Sequence, residues 1–379
     1  MFASRSIFVL LCFFLATIQA VVPINTSLAT LPVGYFGGSK DSIRGPANLD
    51  MLSRMRVITI EKWEGPCWNE CLANSSHNPP IPCESSCGEE NYQLATLQAV
   101  KQRNPAVAGV FYLNTLYDFP YYKLTGQFTA ADEHVRDVNG KVIGIENDNG
   151  MRHVPIFDFS QPSAVQRYLD FHRSIAARGL SDGTFPDKSD VFAFLNKSTN
   201  QWNLCENPGG PPRKHAWADA CGQISEAKAR AYNSGKQTMM SGLKQIYGPK
   251  GAVYYQNIPR RSPHLDTDDP IELHSEIVRS LQSHPYLYFM IGDNNDNRTN
   301  ITRKCTDDIV NAFVLVVEEG AILGCNGWDE RFGYPLGDPL GPPKLKTVSG
   351  NVTRVVERRF KSGSVIVISV CTVVSRWRL

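Results

Sequence analysis

Several large enzyme classes have no signature in this sequence. It contains no G-x-S-x-G, no H-E-x-x-H and no phosphate-binding loop, so serine-hydrolase, zincin and nucleotide-triphosphatase chemistry lacks motif support. The glycine-rich stretch GYFGGSKDSIRG is not G-x-G-x-x-G, which leaves an open dinucleotide-binding sheet without positive evidence. An excess of one charge is missing too. With 39 Lys+Arg against 37 Asp+Glu the net charge is +2, and nothing in that balance points to nucleic acid or an anionic membrane. There is no internal repeat and no low-complexity segment. After the first 20 residues no apolar run reaches the ~18 residues of a membrane span. SVIVISVCTVV, at 364–374, reads as a strand. No C-x2-C pair occurs, which weakens a zinc reading of the cysteines.

What is present points to export. Residues 1–20, MFASRSIFVLLCFFLATIQA, carry a positive Arg5, a short apolar stretch from Ile7 to Leu15 and small residues up to Ala20. This is the pattern of a secretory signal peptide. Six N-x-S/T sequons follow, at Asn25, Asn74, Asn196, Asn297, Asn300 and Asn351, and a secreted chain would be glycosylated there. Of the 10 cysteines, Cys12 lies in the signal segment. Cys67, Cys71, Cys83 and Cys87 form C-x3-C…C-x3-C around a proline-rich spacer, Cys205 and Cys221 form a local pair, as do Cys305 and Cys325, and Cys371 is left over. In an oxidising compartment these read as disulfides.

The body of the chain alternates short β-like runs with helix-like segments. Strands are expected at 33–38, 56–63, 106–114, 155–160, 179–187, 252–257, 286–293 and 321–326. Helices are expected at 46–55, 91–103, 161–179, 223–247, 269–284 and 306–320, with a further short helix near 128–137. Alternating β and α implies a parallel sheet, and eight units in 379 residues imply an α/β fold: a (β/α)8 TIM-like barrel. The expected organisation is a signal peptide at 1–20, a barrel at 21–343 with a cysteine-stapled insertion at 64–90, and a C-terminal β-segment at 344–379 packed on the barrel.

In such a barrel the chemistry sits at the C-terminal ends of the strands. Polar residues stand at nearly every one: Glu61, Lys62 and Glu64; Asn114 and Asp118; Asp158; Asp182 and Asp187; Gln256 and Asn257; Asp293; Asn326 and Asp329. Aromatics flank them, including Trp63, Tyr112, Tyr117 and Trp328. Any one strand end is commonly polar because it meets solvent. The whole set makes an acidic, hydrogen-bonding mouth with aromatic faces, which suits a sugar. Glycoside hydrolysis needs two carboxyl groups across the scissile bond, roughly 5–5.5 Å apart in retaining enzymes and 6.5–9.5 Å in inverting ones. DNNDN at 293–297 begins like a calcium loop, but Arg298 replaces the needed glycine and Lys304 the bidentate glutamate, so no EF-hand is expected. His153, His172, His264 and His274 have no ligand spacing. No metal and no cofactor is expected.

FDFSQPSAVQRYLDFH…GLSDGTFPDKSD resembles the D-F/L-S-N-P…D-G-x-F-x-D block of glycoside hydrolases with a TIM-barrel fold. VITIEKWEGPC, VFYLNTLYDFPYY and GCNGWDERFGYPLGDPLGPP resemble further blocks of a secreted eukaryotic branch of that group. The resemblance implies a catalytic-type barrel and an oligo- or polysaccharide substrate. It aligns Asp182 and Asp187 with the two acids of the block, the second ending a barrel strand. Asp187, flanked by Lys188, is therefore the expected nucleophile or base, and Asp182 is expected to be structural. The partner acid is sought first at Asp158, then at Glu61 and Asp293. Trp63, Tyr112, Asn114, Asp118, Asp182, Lys188, Asn257 and Trp328 complete the expected substrate-contacting set. The competing reading is a secreted barrel that binds carbohydrate without cleaving it. Neither reading involves nucleic acid or a membrane span in the mature chain.

Overall fold

A computed structural model describes residues 27–28, 32–38, 43–62, 64–67, 88–128, 133–148, 151–205, 221–248, 252–253, 270–283, 287–290, 313–314, 317–318, 321–324, 330–333, 336–347, 353–362 and 365–371. Its centre is a sheet of seven parallel strands: β1 (Val33–Gly37), β2 (Val57–Ile60), β3 (Ala108–Asn114), β6 (Gly183–Asp187), β10 (Ala252–Val253), β11 (Leu287–Met290) and β12 (Ala321–Gly324). The spatial order is β10-β6-β3-β2-β1-β12-β11. Each of the seven except β11 lies beside the one before it in the sequence, and the last, β12, lies beside the first. That order fits an α/β barrel. A doubly wound sheet reverses direction at its first strand and places no last strand beside it. Among the described residues no pairing joins β10 to β11.

These runs form strands because they are apolar and rich in β-branched and aromatic residues, and each is buried on both faces where its side chains are described. Alternate residues divide two cores. Phe36, Val57, Ala108, Val110, Tyr112, Phe185 and Ile322 meet on one face and form a cluster of their own. The strand register puts Val110 beside Gly183 and Tyr112 beside Phe185, so this cluster shares one face, the interior one turned away from the helices. Ile58, Ile60, Phe111 and Leu113 point the other way, into the larger core shared with the helices.

The helices are α1 (Pro46–Leu52), α2 (Glu89–Arg103), α3 (Pro162–Ala176), α4 (Glu226–Tyr247) and α5 (Pro270–Ser283). Their limits follow local chemistry. Pro162 opens α3, Ser225 caps α4 by accepting from the Lys228 amide at 3.2 Å, and Gly248 ends α4 with φ +71°. Of the helix expected at 306–320, the described residues are 313–314, which are helical, and 317–318, which are not.

Two expectations fail. The run at 155–160 does not enter the parallel sheet. β3 pairs directly with β6, while β4 (Gly144–Asp148) and β5 (Met151–Pro155) form an antiparallel hairpin. Residues just beyond β5 bridge the segment after β3, Tyr117 to Ile156. An apolar run marks extended backbone, not the neighbour it will choose. The short helix near 128–137 is also absent where described: His134 and Arg136 bridge Phe157 and Val142, and the chain turns at Asn139-Gly140 with Gly140 at φ +83°. A second antiparallel sheet, β7 (Phe194–Asn196), β8 (Gln201–Cys205) and β9 (Cys221–Ile224), follows β6. The Cys205–Cys221 disulfide joins β8 to β9. The tail forms β13 (Lys344–Thr347), β14 (Thr353–Arg359) and β15 (Val365–Cys371), an antiparallel sheet near the two tail strands expected from sequence. Its Arg358 is buried against the α/β body: it donates to the carbonyl of Val317 at 2.6 Å and ion-pairs with Glu318, which also holds His274 Nε2 at 2.6 Å.

Candidate active site

The interior face carries its polar residues at one end. Continuing the register past the apolar cluster, Glu61 lies beside Tyr112, and Asn114 beside Asp187, all at the C-terminal ends of β2, β3 and β6. Glu61 is held there by its backbone amide, which donates to the Gly37 carbonyl at 2.8 Å. The Asp187 carbonyl accepts from both the amide and the hydroxyl of Thr115, at 2.8 Å each.

The side chains form one chain of contacts. Lys62 Nζ donates to Glu61 Oε1 at 2.5 Å and to the Tyr112 hydroxyl at 3.2 Å. That hydroxyl donates to Asp187 Oδ2 at 2.5 Å, and Asn114 Nδ2 donates to the same oxygen at 2.9 Å. Asn114 is aimed by its own carbonyl oxygen, which accepts from the amides of Leu116 and Tyr117 at 2.7 and 2.8 Å. Lys62 also lies over the Tyr112 ring, 4.8 Å from its centre. Burial, then the negative charges of Asp187 and Glu61, push the Tyr112 phenol well above its ordinary pKa, so it stays a neutral donor. Asp187 Oδ1 has no hydrogen-bond partner among the described residues. The three links of 2.5, 3.2 and 2.5 Å set the nearest oxygens of Glu61 and Asp187 at most about 8 Å apart, short of the roughly 9.5 Å upper limit for glycosidase carboxyl pairs.

The other expected residues divide clearly. Asp182 is buried at the opposite end of β6, accepts from the Gly109 amide at 2.8 Å and pairs with Lys101, so it locks β6 and β3 to α2. Asp158 ends no strand of the sheet. It is fully buried, Oδ1 accepts from the amide and hydroxyl of Ser160 at 3.1 and 2.6 Å, and Oδ2 pairs with Lys228, tying the start of α3 to α4. Asp118 accepts from Thr125 Oγ1 at 2.8 Å and meets His134 Nε2 at 2.9 Å; burial raises its pKa while His134 and Thr125 oppose the rise. Lys188 directly follows Asp187 in a left-handed turn, φ +61°. Asn196 lies in an exposed hairpin, its side-chain oxygen accepting from the Ser198 amide and hydroxyl. Cys67 is buried and disulfide-bonded. Trp63, Asn257, Asp293 and Trp328 lie outside the described residues, as do Cys71, Cys83, Cys87, Cys305, Cys325, Asn25, Asn74, Asn297, Asn300 and Asn351.

Two buried groups near the site escaped the sequence reading. Glu89, first residue of α2, is fully buried, and neither carboxyl oxygen has a hydrogen-bond partner among the described residues. Burial, then the charge of Glu64, hold its pKa well above the carboxylate range. An acid in a helix's first turn is ordinary, so nothing in the sequence marked it. Lys236 on α4 is also fully buried. It did leave a signal: it interrupts a stripe of Ala229, Tyr232, Met239, Met240 and Leu243, where helical spacing calls for an apolar residue. Among the described residues no group of His, Cys, Asp and Glu could hold a metal ion, and no helix is long and apolar enough to cross a membrane.

No family model and no curated protein matches the chain. Solved structures of glycoside hydrolases share part of its path. The α-galactosidase TtGalA from Thermus thermophilus, in complex with p-nitrophenyl α-D-galactopyranoside, is 14% identical over 61% of this chain and 39% of its own, TM-score 0.34. A variant of the GH36 α-galactosidase AgaA from Geobacillus stearothermophilus, in complex with stachyose, is 8% identical over 88% of this chain and 46% of its own, TM-score 0.43. The glycoside hydrolase domain of PelA from Pseudomonas aeruginosa is 10% identical over 80% of this chain and 96% of its own, TM-score 0.36. The chain thus spans less than half the length of either α-galactosidase.

Proposed function

We propose that the protein is a secreted glycoside hydrolase acting on an oligo- or polysaccharide from the C-terminal mouth of a closed (β/α)8 barrel, with the C-terminal sheet packed against it. The observation that carries this reading is the pair of carboxylates, Glu61 and Asp187, on the interior face at the ends of β2 and β6, within about 8 Å of each other. Asp187 acts as nucleophile or base: Tyr112 and Asn114 fix Oδ2, which leaves Oδ1 to face the sugar or an attacking water. Glu61 is its partner across the bond. Of the other acids considered, Asp158 has both oxygens engaged in joining two helices. The disulfide between Cys205 and Cys221 supports an oxidising, extracellular setting.

A panel of aryl glycosides and polysaccharides, with Asp187→Asn and Glu61→Gln alongside the parent, tests this. Cleavage by the parent should fall by at least a hundredfold in either variant, with melting unchanged within a few degrees. A fully active Asp187→Asn chain would overturn the assignment.

One observation favours a binding barrel instead. Lys62 occupies Glu61, and Asp187 already accepts two bonds at one oxygen, so both acids are engaged in internal contacts. That reading expects no turnover from the parent and equal glycan affinity in parent and Asp187→Asn.

A further inference from the structure

The carboxylate of Asp187 projects from the last residue of β6, and its aim depends on the backbone that follows. That backbone turns at once into the left-handed region at Lys188, a conformation disfavoured for a residue with a side chain. Such a turn persists only where its surroundings hold it. Here helix α4 does so with two side chains one turn apart. Lys236 Nζ donates to the carbonyls of Lys188 and Val191 at 2.7 and 2.8 Å. Asn233 pairs with Ala193 as a strand would, accepting from its amide at 2.8 Å and donating to its carbonyl at 2.9 Å. The Val191 amide donates to the Lys188 carbonyl at 3.2 Å, which closes the loop on itself.

We propose that Lys236 and Asn233 are positioning residues for Asp187: they lash the backbone of 188–193 to α4, hold the turn at Lys188 and so aim the carboxylate into the barrel mouth. The inference rests on the reading of Asp187 as the reacting acid. A lysine suits the place because two buried carbonyls need donors from a single long side chain, and an ammonium group has three. Burial pushes its pKa down to about 7, the negative charges of Asp190 and Asp187 pull it up, and Lys188 pushes it down again. The clasp survives loss of that proton, since a neutral amine keeps two N–H groups for two carbonyls. Nothing in the stability of α4 itself calls for a lysine, because a methionine would fill the same apolar stripe.

Two readouts on the full-length secreted chain test it: hydrogen exchange of the backbone amides at 188–193, and hydrolysis of whichever aryl glycoside the parent cleaves. In Lys236→Met the amides of Val191 and Ala193 should exchange at least about tenfold faster while the helices exchange as before, and kcat should fall by roughly 10–100-fold with KM within about twofold, as expected when a reacting group is misplaced by about 1 Å. Unchanged exchange at 188–193 overturns the clasp, and faster exchange with unchanged kcat overturns its role in aiming Asp187. Should Lys236→Met fail to fold, Asn233→Ala, which frees the Ala193 amide and carbonyl alone, decides by the same two readouts. A parent chain that cleaves nothing sinks the glycosidase reading, and the exchange arm still decides the clasp.

Discussion

Among the buried titratable side chains, His172 makes the plainest prediction. It lies on α3 between the rings of Phe111, Tyr168 and Tyr247, with Nδ1 against the Tyr247 hydroxyl at 3.1 Å. Burial lowers its pKa from 6.5 to about 3, so the folded chain holds it neutral. The unfolded chain takes up the proton first as pH falls, so stability is lost progressively from about pH 6.5 down to about pH 3. Unfolding free energies from urea titrations at pH 7 and pH 4.5 should differ by about 2–3 kcal/mol more in the parent than in His172→Phe. Equal pH dependence in the two would show that the ring is solvated. At this scale the site was partly legible. Glu61, Asn114 and Asp187 stood out as polar residues at strand ends and Tyr112 as a flanking aromatic, and the register brings them together. Asp158 was expected beside them because its run reads as a strand; it serves two helices instead. The assignment of Lys62 as a bridge could not be read from sequence, because it depends on which side chains two neighbouring strands turn to the same face.

At the scale of elements, α4 packs so closely on α3 and on the segment leading into it that two glycines of α4, a heptad apart, take the contact. A β-carbon on Gly235 would fall on the backbone carbonyl of Phe159, which cannot move aside. One on Gly242 would come 2.6 Å from Leu169 Cδ1, the far end of a flexible side chain. Gly235→Ala should therefore destabilise by about 3 kcal/mol or more and Gly242→Ala by about 1 kcal/mol, since overpacking is relieved only where a neighbour can yield. Thermal melts of both variants check the order, and a Gly235→Ala chain as stable as Gly242→Ala would mean the helices slide apart freely. The five helices given ranges above were readable to within a few residues, because capping chemistry is local: Pro162 and Gly248 stand where the chain changes direction. The lashing of 188–193 by α4 was not, since it joins residues 40 to 48 positions apart through backbone carbonyls that carry no side-chain signature.

For the molecule as a whole, Arg358 joins the tail sheet to the α/β body. Its guanidinium is withdrawn from water and spread over the carbonyls of Val317 and Gly341 and the carboxylate of Glu318. Arg358→Met should lower stability by about 3 kcal/mol, because a half-buried carboxylate and a buried carbonyl lose their partner together. Equilibrium urea unfolding measures it, and a variant within 0.5 kcal/mol of the parent would mean that the sheet docks by apolar contact alone. The parallel sheet was foreseen from the alternation of strand and helix, whereas the meeting of its first and last strands needed the pairing of Val33 with Leu323, nearly 300 residues apart. That pairing has a consequence during synthesis. VGYFG is the first of the seven strands to leave the ribosome, yet one of its two flanks stays bare until AILG has been made. A message cut short in between releases a chain whose earliest strand offers an apolar, unsatisfied edge to any other chain, so incomplete products should clump while the finished one does not.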